Sequence, residues 1–596
     1  IYKMSVNLAS RSTLVSHCGD RKGQEKKCVA VGTRRKQQPR GTARAARVDE
    51  SINVDTREPS DTFHIPELNQ ETWENFLKPY KSSYEERAFV IEKDMIQGEI
   101  PKELRGSLLR NGPGLFEIGG EPIPQPFDGD GKVAMFCFPG GEDNRPFFST
   151  RFVRTKAFVE EQKANKMIYR GAFSVGNPAG GLFYNPFDLS VKQIANTGVV
   201  HWAGKILALY ERDLPYHLKN EDLKTLGTTT LDGGIDEPYF AAHNQIVSMP
   251  DGSKRLVTFS ASESGLDNRI VVWEFDEDGK QVARIEKTLP NAAFGFFHDM
   301  AVTEKHYIFV ENPIRLDMKK FLFEYMFGKA CIAECLQFVP SMDTKIHVIP
   351  RPCAEGEEEY KVYTCPRPFF TFHHVNSFIT STGDIVLDTC ALHEGMDFSA
   401  NLKTTDVSYY NKNVGRGAYT RLHINTASGV VSEKKMMYRA CDFPCVAPQV
   451  TGKKHKHAYV YGSAADQEDL WGPPQVISKV SFTSDDESVS PSVQQTVFHP
   501  GRNKWAQEPI FVPRDGATEE DDGWVLVLVY DSDADTTELA ILDAKSMKAE
   551  ATIKLPFMIP AGLHGSWTPE YLGSRPEGDA ENSRFEYDIR NGVDYF

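Results

Sequence analysis

"WVLVLVYDSDADTTELAILD", Trp524 to Asp543, holds a seven-residue apolar run, a polar cluster and a second β-favouring run. The run is rich in β-branched and aromatic residues and "DSDAD" carries turn chemistry, so the stretch reads as two strands joined by a short loop. It is also far shorter than the ~20 residues a membrane-spanning helix needs. Working outward, the same unit recurs: "KILALYE", "RLVTFSA", "RIVVWEFDEDG", "YIFVEN", "DIVLDTC" and "AYVYGS" are short runs separated by turn clusters such as "DEDGKQ" and "STGD". From about Ser107 onward no long helical interlude interrupts them. This spacing points to an all-β fold, a β-propeller ahead of tandem sandwiches. No WD or kelch period is visible. One region differs: Met318 to Phe338, "MKKFLFEYMFGKACIAECLQF", is aromatic-rich and reads as helical.

Charge divides the chain. Residues 1–47 carry 12 Lys+Arg against two acids, so the net −15 of the 596 residues becomes about −25 over the rest. A body that acidic repels phosphate, which excludes nucleic acid as the expected partner. The basic, acid-poor head resembles an organelle transit peptide, with a disordered anion-binding arm as the alternative. Residues 48–100 form an extension with a helix expected around "NQETWENFLKPYKSSYEE", and residues 101–596 a single β domain. The ten cysteines include only C-x3-C pairs, Cys331/Cys335 and Cys441/Cys445, so buried free thiols are expected rather than zinc.

Sixteen histidines are present. His455 and His457 alternate with lysines in "GKKHKHAY" and read as solvated. Four others have apolar or small neighbours: His243 in "PYFAAHNQIV", His298 in "FGFFHDMAVT", His373 in "TFHHVNSF" and His564 in "IPAGLHGSWTPE". Singly, each reads most simply as an interior histidine, and their spacing matches no local metal motif. His373 and His374 point to opposite faces if extended, so at most one serves a given site. In a propeller, residues far apart in sequence converge where the innermost strands meet.

With these stretches in view, the chain from about Pro101 to Thr568 resembles the carotenoid cleavage oxygenase family. The matching segments run in the family's order: "PKELRGSLLRNGPGLFE", "FDGDGKV", "STRFVRT", "ANTGVVHWAGKILALYE", "FFHDMAVTE", "FHHVNS", "EPIFVPR" with "EEDDGWVLV", and "GLHGSW". The resemblance implies a seven-bladed β-propeller with loops and short helices capping one face. It also implies one Fe(II) per chain on His243, His298, His373 and His564, because the pattern Phe-His-x-x-Asn selects His373 with Asn376. His374 is then a packing neighbour. Imidazole suits Fe(II), and four such ligands leave two positions open for dioxygen and a water. Glu211, Asp442 and Glu508 match the carboxylates that orient the ligands, Asp442 being one methylene shorter than the usual glutamate. Thr197 matches the position that shapes an open coordination site.

The implied activity is O2-dependent cleavage of a conjugated C=C bond of a carotenoid or apocarotenoid into two carbonyl products. Alternatives on the same fold are stilbene cleavage, retinyl-ester isomerohydrolysis, and a lipid-binding scaffold without catalysis. "RTKAF" places Ala157 where stilbene-cleaving relatives carry a lysine, and Lys156, read as part of a strand, would face the other side. Relatives also carry an acid shortly after Asn376, where this chain has Ser377, Phe378, Ile379 and Thr380. The segment Phe321, Leu322, Phe323, Tyr325, Met326 and Phe327 is a candidate membrane-surface patch at the tunnel mouth, or else a helix packed on the propeller. A plastid is the expected location, the cytoplasm the alternative. Oligomeric state is left open.

Overall fold

The Trp524–Asp543 stretch folds as the hairpin its residues call for. In a computed structural model, strands Gly523–Asp531 and Thr536–Asp543 pair antiparallel with Val527 opposite Ala540 and Asp531 opposite Thr536. Asp531 Oδ1 accepts the N–H groups of Asp533 and Ala534, and Asp535 takes φ +55°, so the acidic loop supplies its own turn bonds. The first strand is apolar on both sides because both faces are covered. Trp524, Leu526 and Leu528 pack with Phe136 and Phe148, whereas Val525, Val527 and Val529 pack with Tyr459 and Ile477.

The structure describes residues 69–174, 187–292, 294–352, 359–398, 415–465, 472–574 and 584–593. The basic leader 1–47 lies outside them. The regular secondary structure among the described residues is mostly strand, with few, short helices. Three four-stranded antiparallel sheets follow in simple chain order. The first runs from Gly198–Trp202 to Thr225–Thr228, the next from Gln245–Ser248 to Gln281–Leu289, and the third from Ala301–Val302 to Lys361–Thr364. A seven-stranded sheet then runs from His374–Ile379 to Val493–Phe498, sharing the long strand Val431–Cys445 at its middle.

The remaining two large sheets mix early and late chain. Gly565–Thr568 pairs with Gly106–Leu115, which continues through Asp130–Phe138 and Phe147–Phe152 to Glu85–Val90. Ile96–Gly98 pairs with Lys548–Lys554 beside the 523–543 hairpin. The segment before Pro101 thus contributes two strands, as well as the expected helix, Gln70–Leu77, which Asn69 caps and Trp73 and Phe76 anchor against Trp505. Apolar cores link each sheet to the next. Val199 and Val133 share one, Trp273 and Leu207 another, Phe309 and Phe259 a third, and Leu387 and Ile346 a fourth.

The Met318–Phe338 region is helical only in pieces. Helix Met318–Phe323, capped by Asp317, gives way to single 3-10 turns and then to strand Leu336–Phe338, Gly328 taking φ +72° at the break. Another difference concerns Lys156. Thr155 accepts the Phe158 N–H and starts a helix, Lys156–Ala164, where a strand was expected; Lys156 is exposed and Ala157 buried.

Candidate metal centre

Four histidines, from four different parts of the chain, stand within three residues of an edge strand of a sheet. His243 precedes Gln245–Ser248, His298 precedes Ala301–Val302, His373 abuts His374–Ile379 and His564 abuts Gly565–Thr568. One ring nitrogen from each comes within 4.8 Å of the others. The Nε2 atoms of His243 and His298 are 2.9 Å apart, and ring centroids of neighbouring pairs are separated by 4.4 to 5.2 Å. Among the described residues no other group of His, Cys, Asp or Glu meets the same condition.

Carboxylates hold three of the rings from behind. His373 Nδ1 lies 2.7 Å from Asp442 Oδ1, His564 Nδ1 lies 2.7 Å from Glu508 Oε1, and His298 Nδ1 contacts Glu211 Oε1. With Nδ1 engaged, Nε2 is the nitrogen left for the interior, and His373 Nε2 is buried without a hydrogen-bond partner. Four such nitrogens converging on one point are a donor set for a metal ion. Donors held at about 2 Å from a common ion stand at most about 4 Å apart, so the cluster has only to contract slightly.

Asp442 reaches as far as Glu508 does despite its shorter side chain. Its strand bulges between Asp442 and Cys445, and Phe443 turns to φ +50°, donating its N–H to Asp442 Oδ1. That backbone excursion makes up the missing methylene. Glu508 is also gripped by Arg110 and by the Gly565 N–H at 2.8 Å.

Burial would raise all three carboxylates, but their histidine partners, and Arg110 first of all for Glu508, hold them below their usual range. Burial and then the neighbouring rings push His243 well below the ordinary histidine value. His564 is lowered by burial, and His373, which burial would also lower, is raised by Asp442.

His374 does not join the cluster. It is buried on the other face, with Nδ1 3.0 Å from Thr389 Oγ1. Thr197 sits just before strand Gly198–Trp202, and its carbonyl accepts the His564 N–H at 3.0 Å. Two expectations fail. Tyr325, counted in the surface patch, is fully buried, because Arg170 stacks on its ring and its hydroxyl reaches the Leu189 carbonyl. His455, read as solvated, is also buried, against Asn376, Tyr419 and Asp388. Of the patch, Leu322 and Phe323 are exposed and Phe321, Met326 and Phe327 half-buried; Met318, outside it, is exposed beside them.

Several site residues escaped the sequence reading. Phe296, Phe372 and Phe443 wall the cluster: Phe296 stacks on His298, Phe372 meets it edge-on at 5.2 Å, and Phe443 lies 4.8 Å from His564. Phe370, Phe398 and Phe338 extend this wall away from the histidines. Phe296 and Phe443 both have left-handed backbone, which is costly for a bulky residue and concentrates at functional sites.

Residues 80–569 match the family model described as retinal pigment epithelial membrane protein. Apocarotenoid-15,15'-oxygenase of Synechocystis is 38% identical over 520 residues, covering 86% of this chain and 98% of that protein. Resveratrol cleavage oxygenase 1 of Botryotinia fuckeliana is 26% identical, covering 79% and 82%. A crystal structure of cobalt-substituted Synechocystis ACO superposes with a TM-score of 0.75 at 37% identity, covering 83% of this chain and 98% of that one.

Proposed function

The chain belongs to the retinal pigment epithelial membrane protein family and is a carotenoid cleavage dioxygenase; on that premise we propose that it binds one Fe(II) and splits one conjugated C=C bond of an apocarotenoid. Each alkene carbon takes one oxygen atom of O2, so two carbonyl products account for all atoms. The observation that carries the reading is the four-nitrogen cluster with carboxylates behind three of its rings. Iron held there supplies the activation of dioxygen.

The chain's own residues do the rest. His243, His298, His373 and His564 present neutral donors, leaving the ion's charge intact. Glu211, Asp442 and Glu508 fix ring orientation through Nδ1. Phe296, Phe372 and Phe443 exclude water and offer flat apolar surface to a polyene, so the bond attacked is set by placement along the wall. Thr197, tied to the His564 backbone, is assigned the shaping of an open coordination position.

The sheet-to-sheet succession of cores supports a seven-bladed propeller: the last sheet shares its core with the first through Trp524 and Phe136. Met318, Leu322 and Phe323 are assigned to a membrane surface from which an apolar substrate enters, and the basic 1–47 leader to plastid targeting.

The test is anaerobic loading with Fe(II), metal analysis, then addition of O2 with a panel of carotenoids, apocarotenoids, a stilbene and a retinyl ester. One iron per chain and paired aldehydes from an apocarotenoid, appearing only with O2, are expected. Cleavage of the stilbene alone would transfer the assignment to that class, and oxygen-independent retinol formation to isomerohydrolysis. Absence of iron and of any product leaves a lipid-binding scaffold.

A further inference from the structure

Asn312 and Asp299 belong to none of the groups described above, yet both lie between two of the histidines. Asn312 follows strand His306–Glu311 and is 2% exposed. Its Nδ2 donates to the Phe296 carbonyl at 3.0 Å and to the Thr371 carbonyl at 3.2 Å, while its Oδ1 accepts the Thr371 N–H at 2.8 Å. Phe296 is two residues before His298, and Thr371 is two residues before His373. One side chain therefore joins the two ligand-bearing segments at matching positions.

Asp299 joins them again on the far side. Its Oδ2 accepts the His374 N–H at 2.9 Å, and its Oδ1 accepts the Met300 N–H at 2.7 Å. Asp299 directly follows His298, and His374 directly follows His373. The two histidines are thus bridged both before and after, across the gap between two sheets. Elsewhere around the cluster, Gln245 Nε2 donates to the Met300 carbonyl at 3.1 Å, and His564 is held by backbone bonds to Asn111 and Thr197.

We propose that Asn312 and Asp299 form a two-point clamp that sets the separation of the His298 and His373 rings, and thereby the metal affinity and coordination geometry of the site. The proposal rests on the metal reading given above. Both are positioning residues: they act on backbone, through the ligands. The bonds are local to the ligand segments, so losing them loosens two donors without emptying a core.

Asn312→Asp keeps the acceptor toward the Thr371 N–H and replaces both donors by an oxygen that faces carbonyls. Asp299→Asn leaves a single oxygen for two N–H groups. Asn144 provides the control, because its side chain makes the same three-bond pattern with Pro101, Leu104 and Gly140, far along the chain from the histidines. The full-length protein and these variants are loaded with Fe(II) and, separately, with Co(II). Metal affinity is read by chelator competition, geometry by the Co(II) visible spectrum, and stability by urea unfolding of the metal-free form.

Asn312→Asp and Asp299→Asn are expected to weaken Fe(II) binding by about 10- to 100-fold, the usual cost of losing an outer partner of a ligand, and to shift the Co(II) bands. Asn144→Asp is expected to lower the urea midpoint while leaving affinity and spectrum unchanged. Wild-type affinity and spectrum in both clamp variants would overturn the clamp while the metal reading stands. If Asn312→Asp does not fold, Asp299→Asn alone decides in the same way. A wild-type protein that takes up neither ion overturns the metal reading, and the clamp with it.

Discussion

At His373 and His374, one peptide unit separates a ring that joins the four-nitrogen cluster from a ring that bonds Thr389. His373→Ala is expected to abolish Fe(II) retention and His374→Ala to keep about one iron per chain, both read by metal analysis after gel filtration. Asp442→Ala removes the partner of His373 Nδ1 and is expected to weaken iron binding by about 10- to 100-fold. That the two rings part company was legible from strand alternation alone. Which of them turns inward depends on where Asp442 lies, 69 residues further along the chain and three strands across the same sheet. The left-handed Phe296 and Phe443 were not legible. A glycine there would have signalled the conformation, but in phenylalanine only the surrounding packing imposes it.

Within the seven-stranded sheet, Asp388 and Arg421 face each other on adjacent strands, Nε to Oδ1 at 2.8 Å and Nη2 to Oδ2 at 2.7 Å, both out of solvent. Tyr419 and His455 complete the shell. Asp388→Asn leaves the guanidinium buried without a counter-charge and is expected to cost about 3–5 kcal/mol in urea unfolding. Burial would raise the Asp388 carboxyl, but Arg421 holds it far below the carboxylate range. A carboxyl depressed in the folded state contributes stability that is present above its unfolded pKa, about 3.9, and is lost as pH falls further. The wild-type minus Asp388→Asn difference is therefore expected to be flat from pH 7 to about 4.5 and to shrink below about 3.9. Strands themselves were the legible part of these elements, since an apolar run bounded by turn residues needs no distant information. His455 was misread because its lysine neighbours look like a solvated run. The chain there passes beneath Asn376, whose amide binds the Val450 and Lys453 carbonyls and draws His455 into the sheet.

Across the whole molecule, Phe323 at 65% exposure and Leu322 at 43% stand on a six-residue helix whose other aromatic, Phe321, is packed against Tyr325. Burying one such side chain in an apolar phase is worth about 1.5–3 kcal/mol. Leu322→Glu with Phe323→Glu is expected to reduce sedimentation with phosphatidylcholine vesicles at least about tenfold, while cleavage of a detergent-dispersed apocarotenoid persists. Equal sedimentation of variant and parent would remove the patch from the account. Convergence of the histidines was not visible in their spacing, because it is a property of how the sheets succeed one another. The pairing of Gly565–Thr568 with Gly106–Leu115 has a consequence in time as well as in space. His564 adjoins the strand that joins the late chain to the first sheet, so the fourth donor arrives in the same event that docks Gly565–Thr568 onto that sheet. A growing chain that has produced His243, His298 and His373 still lacks the site, however well its earlier sheets have folded. Metal capture is thereby expected to be a late step of maturation, and retention of an ion would report that the long-range closure of the chain has taken place.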